Sequence, residues 1–176
     1  VSWAREMCIR DRMRIVRLGE GVDATGEFSP AALQRTFGAL AEYRELLDRY
    51  RPERIRFVAT SASRDVSNRS AFVTGVQTGI GVVPEIISGT QEAALSFLGA
   101  TRGLPAGILD DHAPVLVVDI GGGSTEFVRG IPALSTPQAA VSVDIGCVRM
   151  TERHLSGDPP NAEQAVSYTH LTLPTI

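Results

Sequence analysis

The run Asp119-Ile120-Gly121-Gly122-Gly123-Ser124-Thr125-Glu126 sets a carboxylate at each end of three glycines and two hydroxyls. Three glycines let a backbone turn tightly and bring its N–H groups close to an anion, because no Cβ stands in the way. Ser124 and Thr125 add hydroxyl donors, and Asp119 can hold Mg²⁺ directly or through water. Leu116 to Ile120 is a buried-type strand, and Phe127-Val128 opens a second β-prone run. The expected element is a strand–loop–strand phosphate cradle. A Walker-type loop differs, because a helix and a lysine follow its glycines. The competing reading is a plain hairpin with a Gly-rich turn, which needs neither three glycines nor an acid at each end.

The elements that must position this loop alternate along the chain. Ile15 to Leu18 reads as a short strand leading into the turn-rich stretch Gly19 to Gly26. Ser29 is an expected N-cap with Pro30 at the first helical position. Leu33, Phe37, Leu40, Tyr43, Leu47 and Tyr50 then form one apolar helical face. A strand over Ile55 to Ala59 runs into Thr60-Ser61-Ala62-Ser63-Arg64-Asp65. A helix over about Ser67 to Thr78 follows, then a strand over Val82 to Ile87. Gln91 to Thr101 reads as helix, with Leu95 and Leu98 on one face. Strands at Val115–Ile120, Glu126–Arg129 and about Ala139–Asp144 form a meander, and Arg149 to Leu155 starts another helix. Mixed strands and helices with loops at strand ends predict the α/β class.

Both ends of the chain carry a second signal. Met7 to Asp11 can be written in DNA as ATGTGTATAAGAGAC, and the reverse complement of that string encodes Val166 to His170. The string resembles the transposon end used in sequencing libraries, so residues 1–11 and 166–176 are read as translated adapter. The genuine insert is expected over about 12–165. It keeps one cysteine, Cys147, and two histidines, His112 and His154. That set offers no internal disulfide and no zinc cluster. The net charge of −3 argues against a general nucleic-acid binder, and 43% hydrophobic residues suffice for a packed core. No run reaches the roughly 18 apolar residues a membrane span needs. The expectation is a cytoplasmic protein with no membrane or nucleic-acid partner.

Ala59-Thr60-Ser61-Ala62-Ser63-Arg64-Asp65, Ile87-Ser88-Gly89-Thr90-Gln91-Glu92-Ala93, Asp119 to Glu126 and Gly146-Cys147-Val148-Arg149 occur in this order. Together they resemble the exopolyphosphatase and guanosine pentaphosphate phosphatase family of the actin-like ATPase superfamily, over essentially all of Met13 to Ala165. The resemblance implies an actin-like (RNase H-like) two-lobed fold with its site in the cleft. Residues 12–96 would be a first lobe lacking its N-terminal phosphate-loop hairpin, and 97–165 the start of the second. It also implies roles. Glu92 would position and deprotonate the attacking water, Asp119 would be a metal-associated acid and Glu126 a second acid near the reacting phosphate. Gly121, Gly122, Gly123, Ser124 and Thr125 would form one of two phosphate loops, and Arg64 would stabilise the phosphoryl group. The chemistry asks for the same set, because phosphoanhydride hydrolysis spreads negative charge that donors, an arginine and Mg²⁺ stabilise.

The implied activity of the parent is Mg²⁺-dependent hydrolysis of the terminal phosphoanhydride of inorganic polyphosphate, with homodimerisation as a further expectation. The chain alone is expected to be inactive. The alternatives are a guanosine pentaphosphate 5′-phosphohydrolase and, more remotely, an actin-like nucleotide-binding or sugar-kinase-like module. Simpler roles compete at each residue. Glu92 stands where a helix dipole favours any acid, Arg64 suits a surface ion pair, and Thr60 and Ser61 suit helix caps. Arg149 reads as a solvated helix-start arginine, with anion binding as the alternative. Cys147 reads as a packing residue, and His112 and His154 as surface residues without a role. The chain departs from the family pattern at Gln91, where an acid is usual, and at Ala94, where an arginine is common.

Overall fold

The computed structural model describes residues 13–172 apart from 106, 135 and 158. Residues 1–11, read as translated adapter, lie outside the described residues. The first elements are a helical turn α1 (Val22–Thr25) and a long helix α2 (Pro30–Tyr50). Ser29 caps α2 by accepting from the Ala32 N–H, with Pro30 in the first turn, and Arg51 ends it in the left-handed region. Strand β1 (Val58–Ala59), a four-residue helix α3 (Ser61–Arg64), helix α4 (Arg69–Ile80) and strand β2 (Glu85–Ile86) follow. β1 and β2 pair in parallel, Val58 with Glu85 and Ala59 with Ile86. Phe28, Leu40, Ala59, Phe72, Val76 and Ile80 form the core between α2, α4 and this sheet. The tilted rings of Phe28 and Phe72 lie 5.6 Å apart. Each large apolar side chain buried there contributes about 1.5–3 kcal/mol. Asn68 fixes the entry to α2 by accepting from the Phe28 N–H and donating to the Phe28 carbonyl, both at 2.9 Å.

The expected strand over Ile15 to Leu18 is not formed. The segment is irregular and ends in a turn. Arg17 sits at φ 48°, which breaks an extended run, and the Arg35 side chain takes the Val16 carbonyl at 2.9 Å. The strands expected over Ile55–Ala59 and Val82–Ile87 contract to the two paired residues of each.

Helix α5 (Gly89–Arg102) leads to an antiparallel meander of β3 (Val115–Ile120), β4 (Thr125–Gly130) and β5 (Pro137–Val143), with a 3₁₀ turn at Pro132–Leu134. Ala93 and Phe97 of α5 pack on Val128, Val115 and Val117. A Cβ on Gly130 would stand 2.6 Å from the Phe97 ring, so only glycine admits that ring. The division expected at residue 96 falls inside α5, which packs on the second sheet. The opposite face of that sheet leaves Leu116, Val118, Ile120, Phe127 and Val141 exposed. Helix α6 (Cys147–His154) follows β5, and α7 (Ala162–Thr172) runs into the segment read as translated adapter. Among the described residues, no helix is long and apolar enough to cross a membrane.

Candidate active site

The glycine loop joins β3 to β4 in a short turn, as its spacing predicts, and its glycines serve by leaving out a Cβ, not by adopting left-handed backbone. None of Gly121, Gly122 and Gly123 is in the left-handed region. What each needs is space. A Cβ would stand 3.1 Å from the Ser124 carbonyl oxygen at Gly121, 3.3 Å from Val148 Cγ2 at Gly122, and 3.0 Å from Ser61 Oγ at Gly123. The loop is clamped from outside. The Cys147 N–H donates to the Gly121 carbonyl at 3.0 Å, and the N–H groups of Val148 and Arg149 donate to the Gly122 carbonyl at 2.9 and 3.1 Å. Gly121 donates to Ser124 across the turn. The N–H groups of Gly122, Gly123 and Ser124 donate to no acceptor among the described residues. Three such amides on a fixed loop are donors available to an anion. Thr125 is buried and its hydroxyl donates to the Ile145 carbonyl, so it ties the loop to the end of β5; Ser124 is buried beside it.

Glu92 occupies the first turn of α5. Ser88 caps this helix through a reciprocal pair with Gln91: the Ser88 hydroxyl accepts from the Gln91 N–H, and the Gln91 amide oxygen accepts from the Ser88 N–H. The Gln91 amide does here what a glutamate does in the same box, so the box forms although residue 91 is not an acid. Arg64, the last residue of α3, donates from one nitrogen, Nη1, to the Glu92 carboxylate at 3.0 Å and to the Ile87 carbonyl at 2.8 Å. Both side chains are largely shielded, at 25% and 17% exposure, so this pair does not lie on the open surface. Arg69 supports Arg64 from behind by donating to its carbonyl.

Asp119 and Glu126 are direct cross-strand partners and so share one face of the sheet. Glu126 is 1% exposed and accepts from the Ser142 hydroxyl at 2.8 Å. Gly89 ties this acid pair to Arg64: a Cβ there would meet Ser142 Cβ at 3.8 Å and Arg64 Nη2 at 4.0 Å. Asp119 has no hydrogen bond or ion pair among the described residues. No cluster of three or more histidine, cysteine or acidic side chains that could hold a metal occurs among them. Mg²⁺ does not require one, since it is commonly held by one or two carboxylates with water and phosphate oxygens completing the shell. The uncommitted Asp119 carboxylate beside Glu126, at the mouth of a loop with free N–H groups, fits that ion.

Three sequence expectations are corrected here. Arg149 is not a solvated arginine: its side chain is 16% exposed, and Nη1 lies 3.0 Å from Asp23 with Nη2 3.8 Å from Asp65. Arg153 makes a two-pronged contact with the same Asp23 carboxylate. Hydrogen bonding from Arg153, with the charge of Arg149, holds the Asp23 carboxyl below its usual range against the opposing effect of burial. Cys147, expected as a packing residue, is exposed; its contribution is the backbone bond to Gly121. Thr60 is the N-cap of α3 but makes no side-chain cap, and Ser61 lies in the first turn with its hydroxyl against Gly123. Ser142 carries no sequence-level signal, and Gly146, read only as part of an ordered motif, shows its role through a contact distant along the chain.

A family model described as the Ppx/GppA phosphatase family matches residues 4–171. Exopolyphosphatase 2 of Mycobacterium tuberculosis is 49% identical over 156 residues, which cover 86% of this chain and 47% of that protein. A solved exopolyphosphatase-like protein superposes with a TM-score of 0.81 at 45% identity, over 91% of this chain and 49% of its own. The exopolyphosphatase of Cytophaga hutchinsonii gives a TM-score of 0.74 at 30% identity, over 86% and 47%. The chain thus spans about half the length of the curated relatives it matches. The architecture is the α/β, actin-like two-domain class, represented here in part. With the ordered motifs, the clamped glycine loop and these likenesses in agreement, the chain belongs to the Ppx/GppA phosphatase family.

Proposed function

We propose that the full-length protein hydrolyses the terminal phosphoanhydride of inorganic polyphosphate and releases orthophosphate. The observation that carries this reading is the shielded pairing of Glu92 with Arg64, in a chain whose glycine loop offers three uncommitted N–H groups. The relative at 49% identity, an exopolyphosphatase by name, supports the choice of substrate. In this reading the amides of Gly122, Gly123 and Ser124 hold the terminal phosphate. Arg64 faces the charge that spreads over the phosphoryl oxygens as the bond breaks. Such donors act most strongly where they are fixed in advance and shielded from water. Glu92 takes the proton of the attacking water, a role worth about 10²–10⁴-fold in rate. The Arg64 guanidinium keeps that carboxylate oriented. Asp119, with Glu126 beside it, would hold Mg²⁺, which supplies charge neutralisation to the phosphate oxygens. Ser142 keeps Glu126 in place.

Phosphate release from inorganic polyphosphate and from guanosine pentaphosphate, measured side by side on the full-length protein, tests the proposal. Faster turnover of polyphosphate is the expected result. Preference for the nucleotide would shift the reading to 5′-phosphohydrolysis with the same residues. Tight ATP binding without hydrolysis of either substrate would refute it.

A further inference from the structure

Arg149 takes no part in the reaction outlined above, yet it stands at the same loop. A Cβ on Gly123 would project into the gap between Ser61 Oγ, at 3.0 Å, and Arg149 Nη2, at 3.8 Å. Because residue 123 is glycine, that gap stays open. It adjoins a cavity of about 350 Å³ whose wall is formed largely by residues 13–19, with Ser61, Gly122, Gly123 and Arg149 on one part of it and the carboxylates of Asp23 and Glu152 also lining it. Neither Glu92 nor Arg64 lines this cavity, whereas the guanidinium-bearing Arg149 does. Asp23 holds that guanidinium at 3.0 Å, and the Asp65 contact is looser, at 3.8 Å, with the Asp65 side chain 54% exposed. The looser partner is the one an incoming anion can replace. A guanidinium carries five N–H donors in a rigid fork, so Nη2 can meet a phosphoryl oxygen while Nη1 stays with Asp23.

We propose that Arg149 is a specificity-determining residue that binds the second phosphate of the substrate and so distinguishes a phosphoanhydride chain from free orthophosphate. Its Nη2 exchanges the Asp65 contact for a phosphoryl oxygen, while Asp23 keeps the side chain in place. The inference rests on the reading of the Gly122, Gly123 and Ser124 amides as the cradle for the terminal phosphate.

The test is calorimetric titration of tripolyphosphate and of orthophosphate into the full-length protein carrying Glu92→Gln, which prevents turnover. Adding Arg149→Gln should reduce the preference for tripolyphosphate about tenfold, the loss expected of one charge-assisted contact, while orthophosphate affinity stays within about threefold. Arg149→Lys should retain an intermediate preference. An unchanged preference in Arg149→Gln overturns the proposal. Equal weakening of both ligands also overturns it, because that is the signature of a structural role. If the protein with Glu92→Gln alone binds neither ligand, the cradle reading fails and this inference fails with it.

Discussion

Gly146 lies directly on Gly122: a Cβ at residue 146 would stand 2.4 Å from both the carbonyl carbon and the carbonyl oxygen of Gly122. The start of α6 therefore sets the shape of the glycine loop, and the carbonyls of Gly121 and Gly122 are turned toward α6 by the bonds they accept from it. Gly146 has φ −132°, so alanine meets no backbone penalty there and the cost is steric alone.

Gly146→Ala should destabilise the protein by about 1–3 kcal/mol, the usual cost of forcing atoms into a packed site, and should weaken orthophosphate binding. Gly38→Ala provides the opposite sign, because its Cβ would meet nothing within 4 Å and it lies inside α2. It should stabilise by about 0.5–1 kcal/mol. Urea denaturation of both variants checks the pair; equal effects would remove the packing argument.

The Asp23 network predicts a pH dependence. Its carboxyl is held below the usual range by Arg153 and Arg149, so the folded state binds the proton more weakly than the unfolded state does. The stability it contributes is therefore fully present above the ordinary carboxylate pKa and is lost as the pH falls through the lowered folded value. Asp23→Asn should cost about 1 kcal/mol at neutral pH, and its denaturation midpoint should converge with wild type in strong acid. A difference that persists unchanged into strong acid would show that the pair contributes through packing and not through charge.

Much of this arrangement is legible in the sequence because the signals are local. Ser29-Pro30 marks a helix start, the apolar steps from Leu33 to Tyr50 mark its face, and the strand at Val115–Ile120 is bounded as its composition predicts. The pairing of Asp119 with Glu126 follows once a loop joins two antiparallel strands. The partners that fix these groups are not legible. Ser142 meets Glu126 only through the β4–β5 register, Gly146 meets Gly122 only when α6 folds back, and Ser61 meets Gly123 across the two sheets. Helix α3 is too short to show a period, and the Ile15–Leu18 expectation fails because a strand needs a paired edge that apolar residues alone do not supply.

Asp119→Asn tests the proposed metal role. Loss of one anionic oxygen ligand should raise the Mg²⁺ concentration needed for half-maximal rate and lower the maximal rate. Phosphate release measured across a Mg²⁺ titration is the check. An unchanged titration would assign Asp119 a structural role at the end of β3.

The central claim is that Glu92, oriented by Arg64, activates the attacking water while the loop supplies affinity. Steady-state phosphate release from polyphosphate by the full-length Glu92→Gln variant measures this most directly. The predicted result is a kcat lower by about 10²–10⁴-fold with KM close to that of wild type. A kcat within about threefold of wild type, or a loss confined to KM, would contradict the account.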